Sequence, residues 1–134
     1  MASIEQISGI GPAYGEKLRA AGIRTTEALL RAGATPEGRQ ELAEKIGVSA
    51  DTILQWVNRA DLMRVPGIGE QYSDLLEAAG VDTVLELAQR NPENLYQKLA
   101  EINAEKRLVR RMPNQDMVAN WIEQAKSLER AISY

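Results

Sequence analysis

Two glycine-rich triplets, Gly9-Ile10-Gly11 and Gly67-Ile68-Gly69, have the clearest chemical potential in this 134-residue chain. Glycines allow a sharp turn and leave no side chain between the backbone and a ligand. In each case a helix-forming segment follows, and the free N–H groups at its start would lie at the positive end of the helix dipole. Such a site suits a phosphate oxygen, and it would recognise a nucleic-acid backbone without reading base sequence. The central isoleucines are expected to point inward and join the flanking helices.

The two triplets lie in segments of different charge. Residues 7–30 carry a net charge of +1 and include Lys17 and Arg19, which we expect to help the first triplet hold a phosphate. Residues 65–88 carry five carboxylates and no basic residue, a net charge of −5. Binding to a phosphate backbone normally needs several cations that release counterions. The sequence therefore favours the first triplet over the second as an anion site.

The densest basic cluster consists of Lys106, Arg107, Arg110 and Arg111. On a helix, positions 106/110 and 107/111 would form two adjoining rows. Such a ridge could grip phosphates, since arginine can hold one through two parallel hydrogen bonds. The alternative is a solvated face that neutralises the acidic residues of its own half of the chain.

The residue types exclude much enzymology. The chain has no His and no Cys, which removes thiol nucleophiles, disulfides, typical zinc sites and imidazole acid–base chemistry. The carboxylates are scattered at ordinary surface spacings, so we predict no metal site, no cofactor and no enzymatic activity. Trp56 and Trp121 could stack on exposed bases, but their apolar neighbours at helical spacing favour core positions.

An internal repeat places these residues. Residues 7–30 align with residues 65–88, and ten of the 24 aligned positions are identical. Similarity continues more weakly to a tryptophan helix in each half, with an insertion near 103–111 in the second half. Ala and Leu dominate and Phe is absent, which favours helices over sheets. We therefore predict an all-α protein with one repeat in residues 1–61 and a second in residues 62–134.

Cap residues delimit the predicted helices. Gly22, Gly47 and Gly80 are placed to end helices in the left-handed conformation. Ser, Thr and Asn residues are placed to begin the helices, and two of them are followed by proline at the first helical position. These residues are Thr25, Thr35, Ser49, Thr83, Asn91 and Asn114. Each repeat is thus expected to contain four short helices.

The segments SGIGPAYGEKLRAAGI and VPGIGEQYSDLLEAAGV are similar to helix-hairpin-helix motifs. The pair resembles the tandem helix-hairpin-helix domains of DNA-repair and recombination proteins, and the whole chain resembles a bacterial family known as domain-of-unknown-function family 4332. The resemblance implies two tandem helix-hairpin-helix-type repeats packed as one compact domain. In the helix-hairpin-helix class the glycine loop binds DNA phosphates without sequence preference. By resemblance, that role falls on both triplets, Gly9, Ile10, Gly11, Gly67, Ile68 and Gly69.

Two functions are compatible with these observations. The first is weak, sequence-independent DNA binding through the triplets, Lys17, Arg19 and the basic insertion. The second is a protein-interaction or scaffolding module, in which the hairpins are purely structural and the acidic second hairpin meets a basic protein. The formal net charge of −3 gives no global attraction to a polyanion, so any nucleic-acid contact must be local. Without a secretion signal or a long apolar run, the protein is expected to be cytoplasmic with no membrane partner.

Overall fold

A computed structural model describes residues 2–134, and this part of the chain is helical without a β-strand. The all-α prediction is confirmed. A short 3-10 helix at Ile4–Gln6 precedes eight α-helices, which are α1 (Pro12–Ala20), α2 (Thr26–Ala32), α3 (Pro36–Ile46), α4 (Ala50–Leu62), α5 (Glu70–Ala78), α6 (Val84–Ala88), α7 (Pro92–Lys106) and α8 (Gln115–Lys126).

Side-chain caps begin most of these helices, because a Ser, Thr or Asn oxygen accepts a first-turn N–H that the helix itself leaves unbonded. In α2, for example, the Thr25 hydroxyl accepts the Ala28 N–H at 3.1 Å. Six helices are capped in this way, by Thr25, Thr35, Ser49, Thr83, Asn91 and Asn114. The predicted caps are confirmed.

The chain divides into two compact units. Unit 1 contains the residues up to Asp61 together with Ala131–Tyr134, and unit 2 contains Leu62–Arg130. Unit 1 therefore holds α1 to α3 and nearly all of α4, and its fully buried side chains include Ile4, Ile7, Leu18, Leu29, Ile46 and Ile53. The C-terminal tail, Ala131–Tyr134, belongs to this unit, and its Ile132 is buried.

Unit 2 has its own apolar core, formed by residues of α5 to α8 and the preceding loop. Its fully buried members include Leu62, Leu75, Leu76, Leu87, Leu95 and Leu99. Helix α8 packs against both α6 and α7. The core holds the second glycine triplet in place through Ile68, which is buried in it.

The basic insertion departs from the helical arrangement considered for it. Helix α7 ends at Lys106, and Arg107 caps it in the left-handed conformation, with φ 51°. Residues 107–114 are not helical. The rows 106/110 and 107/111 therefore do not form, because only the first residue of the cluster lies in a helix.

Candidate functional site

The first triplet forms a tight turn against the tryptophan of its own unit. Gly9 has φ 96°, a conformation that favours glycine. A Cβ atom added there would lie 3.1 Å from Trp56 Nε1, so the position of the indole also favours a residue without a side chain. Ile10 is buried and donates its N–H to the Ile7 carbonyl at 3.1 Å. Its part in the turn is to anchor the loop, and its amide is already occupied.

The second triplet repeats this geometry. Gly67 also has φ 96°, and a Cβ atom there would lie 3.2 Å from Trp121 Nε1. Ile68 is buried and donates its N–H to Val65 at 3.1 Å. Both isoleucines thus point inward, as expected, and both tryptophans are core residues.

The last glycine of each triplet is the N-cap of a helix and supplies no side chain to it. Gly11 precedes α1 and Gly69 precedes α5, and neither helix start has a side-chain cap. These starts differ from the six capped ones, so their first-turn N–H groups stay available to water or a ligand. A Cβ atom at either glycine would meet nothing within 4 Å, which shows open space beside both glycines.

The two open helix starts differ in local charge. The first turn of α1 contains no acidic residue and has Pro12 as its first residue. Helix α5 instead begins with the exposed carboxylate of Glu70. A carboxylate at this end satisfies the helix dipole itself and repels an anion. The start of α1 is therefore the better anion site.

Lys17 and Arg19 lie in the last turn of α1, at the far end from the triplet. With a rise of 1.5 Å per residue, their Cα atoms are about 9 and about 12 Å along the axis from Gly11. Lys17 Nζ lies 5.9 Å from the centre of the Tyr14 ring and donates to the Ile46 carbonyl at 3.4 Å. Tyr14, in the first turn, connects this lysine to the triplet end of the helix.

Arg19 is paired within its own unit. Its guanidinium donates to both carboxylate oxygens of Glu5. This hydrogen bond lowers the pKa of Glu5 below its ordinary value. Glu5 lies against α1 where Gly15 leaves room, since a Cβ atom there would be 3.2 Å from Glu5 Oε1. The structure therefore brings Arg19 to a carboxylate rather than to the triplet.

The basic loop, defined as residues 106–111, presents its cations to solvent. Lys106, Arg107, Arg110 and Arg111 are all exposed. Among the residues that the structure describes, none of these four side chains forms an ion pair. The cluster therefore does not neutralise the neighbouring carboxylates through direct contacts.

Three hydrogen bonds from side chains hold the basic loop. The Asn103 side chain accepts the Val109 N–H at 2.9 Å and donates to the Val109 carbonyl at 3.1 Å. The Tyr72 hydroxyl donates to the Arg111 carbonyl at 2.9 Å. The Tyr72 ring also packs on Trp121, with ring centres 5.2 Å apart. Through these contacts the loop is joined to α5, the helix that follows the second triplet.

Sequence reasoning missed Glu5, Asn103 and Tyr72 as residues that organise these surfaces. Glu5 and Tyr72 act through partners 14 and 39 residues away in sequence, whereas Asn103 bonds the backbone of Val109, six residues further on. The one local signal was Asn103, an amide side chain placed just before the basic cluster where it can compete for backbone groups. Glu5 had no signal, because an isolated glutamate near a chain start is compatible with many environments.

The family model described as "Domain of unknown function (DUF4332)" matches residues 8–128, most of the chain. The chain belongs to the DUF4332 family. No curated protein and no solved structure matches this DUF4332 chain. The match covers both triplets and the basic loop, so these features lie within the DUF4332 region.

Two structural properties of this DUF4332 protein concern metals and membranes. Within residues 2–134 there is no group of three or more Asp or Glu side chains placed to hold a metal ion. Across the same residues, every helix is too short or too polar to cross a bilayer.

Proposed function

We propose that this protein binds the phosphate backbone of nucleic acid weakly and without sequence preference, through a helix-hairpin-helix arrangement at its glycine triplets. The observation that carries the proposal is the distribution of helix caps. Six helices begin with a Ser, Thr or Asn that satisfies a first-turn N–H, whereas α1 and α5 begin with an uncapped glycine facing open space. Free amides at the positive end of a helix suit a phosphate oxygen.

The first triplet is the main contact in this proposal. Its helix has no acidic residue in the first turn, and Lys17 lies over Tyr14 on the same helix. Pro12 has no N–H, so the backbone N–H groups of Gly11, Ala13 and Tyr14 supply the hydrogen bonds, and Lys17 supplies positive charge. Arg19 contributes little, because Glu5 already neutralises it. Unit 2 has a separate set of exposed cations in the basic loop, and Glu70 weakens its own triplet as an anion site.

The test is fluorescence anisotropy with labelled single-stranded, duplex and branched DNA over a salt series. The decisive variant is Gly11→Asp. An Asp side chain fits the open space and is a favourable N-cap, so the fold is retained or slightly stabilised, while the carboxylate occupies the proposed phosphate position. We expect DNA affinity to fall at least about tenfold, since hydrogen bonds from backbone amides to a phosphate are replaced by repulsion between two negative charges.

Two matched variants separate charge from capping. Gly11→Asn caps α1 without adding charge and should reduce affinity less than Gly11→Asp. Lys17→Glu should weaken binding and lower the slope of log affinity against log salt by about 1 or more. Arg31→Glu, the same charge change at an exposed position of α2, should have a smaller effect. Absence of binding to every DNA form at low salt would contradict the proposal.

A second candidate function is docking of a basic protein on the second hairpin. The observation that favours it is the net charge of −5 over residues 65–88, with Glu70 exposed at the start of α5. A basic peptide should then bind wild-type protein and lose affinity for Glu70→Gln. The affinity for DNA should stay the same or rise in Glu70→Gln, so the two functions predict different responses to this variant.

A further inference from the structure

The basic loop combines charge with an exposed apolar side chain. Leu108 is 37% exposed and lies between the exposed residues Arg107 and Arg110. Its neighbour Val109 is buried, which fixes the backbone of the loop against unit 2. The loop thus presents to solvent one leucine that has four cations beside it in sequence.

The conformation of this loop is set by specific contacts. The Asn103 amide makes two hydrogen bonds to the Val109 backbone, and the Tyr72 hydroxyl binds the Arg111 carbonyl. A ligand would therefore meet a preformed surface and would not have to order a free loop.

Arg107 occupies a position that favours glycine. With φ 51° it is the one non-glycine residue with positive φ in residues 2–134. Gly47 has the corresponding role in unit 1, where it caps α3 with φ 84°. Both cap residues donate their N–H to the carbonyl four residues earlier at 2.8 Å. An arginine is thus held where backbone conformation alone would select glycine, which points to a use for its side chain.

A nucleic acid with an interrupted duplex fits this combination. Cations attract phosphates on either side of the interruption. An apolar side chain gains little from a continuous duplex surface, but it can pack on the ring face of a base that has lost its stacking neighbour. An anionic membrane fits less well, because a single exposed leucine offers little apolar surface to insert into it.

We infer that the basic loop recognises interruptions in duplex DNA, with Leu108 packed on the exposed base and the surrounding arginines on the flanking phosphates. This inference rests on the proposed function and adds a substrate class to it. Leu108 is then a specificity-determining residue, whereas Tyr72 and Asn103 are positioning residues.

The experiment compares two labelled duplexes of the same sequence, one continuous and one with a three-nucleotide gap, by anisotropy at fixed salt. Wild-type protein should bind the gapped duplex about fivefold more tightly, the effect of burying roughly one apolar group. Leu108→Ala should bring the two affinities close together. Leu85→Ala, at a 48% exposed position of α6 in the same unit, should leave the preference unchanged. Arg110→Gln with Arg111→Gln should weaken binding to both duplexes and lower the salt slope by about 2.

Three other results would overturn the inference, the proposed function or both. Equal wild-type binding to both duplexes, or a gap preference that persists in Leu108→Ala, would overturn the inference and leave phosphate binding intact. Failure to bind either duplex would overturn the proposed function as well. Binding to vesicles containing one-third phosphatidylserine, without DNA binding, would replace both with a lipid surface. Circular dichroism of each variant checks that its helices are retained.

Discussion

Arg39 Nη2 donates a hydrogen bond to the Ser133 carbonyl at 2.8 Å, across 94 residues of sequence. The guanidinium is buried, and its Nη1 donates to the Gly33 carbonyl at 2.9 Å. Ser133 in turn donates its N–H to the Ala34 carbonyl at 2.8 Å, and the Tyr134 ring lies 5.9 Å from the guanidinium. A buried cation and a backbone hydrogen bond thus join the C-terminal tail to the rest of unit 1.

Replacing this cation should destabilise unit 1. Arg39→Met keeps most of the apolar stem but leaves the Gly33 and Ser133 carbonyls without their donor. Hydrogen bonds to charged groups are strong, so we expect a loss of about 2–4 kcal/mol in the free energy of unfolding. Urea unfolding followed by circular dichroism measures it. Arg31→Met, at an exposed position of α2, is the control and should change stability by less than about 0.5 kcal/mol.

Deleting residues 131–134 should destabilise the same unit, because it removes buried Ile132 and half of the Arg39 hydrogen bonding. The deletion combined with Arg39→Met should cost less than the sum of the separate changes, since the two share contacts. Additive losses would show that the tail and Arg39 act independently.

The indole contact at the first triplet predicts a graded response to alanine. Gly9→Ala introduces both an unfavourable φ and a Cβ atom 3.1 Å from Trp56 Nε1, so we expect a loss of about 2–3 kcal/mol. Gly22→Ala is the matched control, because φ there is 86° but nothing lies within 4 Å of the added atom. It should lose about 1 kcal/mol. Equal losses, measured by urea unfolding, would show that the tryptophan yields without cost.

The Glu5–Arg19 pair should make stability depend on pH in the acid range. The guanidinium lowers the pKa of Glu5 in the folded protein below the ordinary value of 4.5. The stabilising contribution is therefore fully present above that value and is lost as the pH falls through the lowered pKa. Glu5→Gln should flatten the fall in melting temperature as the pH drops below 4.5. Glu41→Gln, an exposed change on α3, is the control, and an identical profile for both variants would contradict the assignment.

The hydrogen bonds that hold the basic loop should be visible in amide exchange. Asn103→Ala removes both bonds to Val109, so exchange of the Val109 N–H should accelerate. Tyr72→Phe removes one bond to Arg111 and should cost about 0.5–1.5 kcal/mol while Val109 stays protected by Asn103. Tyr14→Phe in unit 1 is the control. Unchanged Val109 exchange in Asn103→Ala would show that the loop is held by other contacts.

Local chemistry made the helices predictable. Thr35 followed by Pro36, and Asn91 followed by Pro92, supply both a cap oxygen and a fixed φ within two adjacent residues. The turns around Gly9 and Gly67 were equally predictable, because a tight turn before a helix already favours glycine, although the tryptophan contacts add a second reason that the sequence does not show. Buried isoleucines at the centre of each triplet follow from the apolar pattern.

Contacts across longer stretches of chain were not predictable in the same way. The pairing of Arg19 with Glu5 reduces the positive charge that the sequence predicted near the first triplet. The end of α7 at Lys106 depends on Asn103, whose amide takes the backbone groups of Val109 in place of a further helical turn. Helix propensity alone gives no signal for either arrangement, since the first needs two distant side chains to meet and the second needs a side chain to bond backbone groups six residues further on.

The tryptophans beside Gly9 and Gly67 also give the protein an intrinsic fluorescence probe at each turn. The chain has two tryptophans, one in each unit, and each touches a glycine turn through its Nε1 atom. Replacing Trp121 with Phe leaves tryptophan emission from unit 1 alone, and replacing Trp56 with Phe leaves tryptophan emission from unit 2 alone. Changes at either turn, whether from unfolding or from an approaching anion, can therefore be followed separately without any added label.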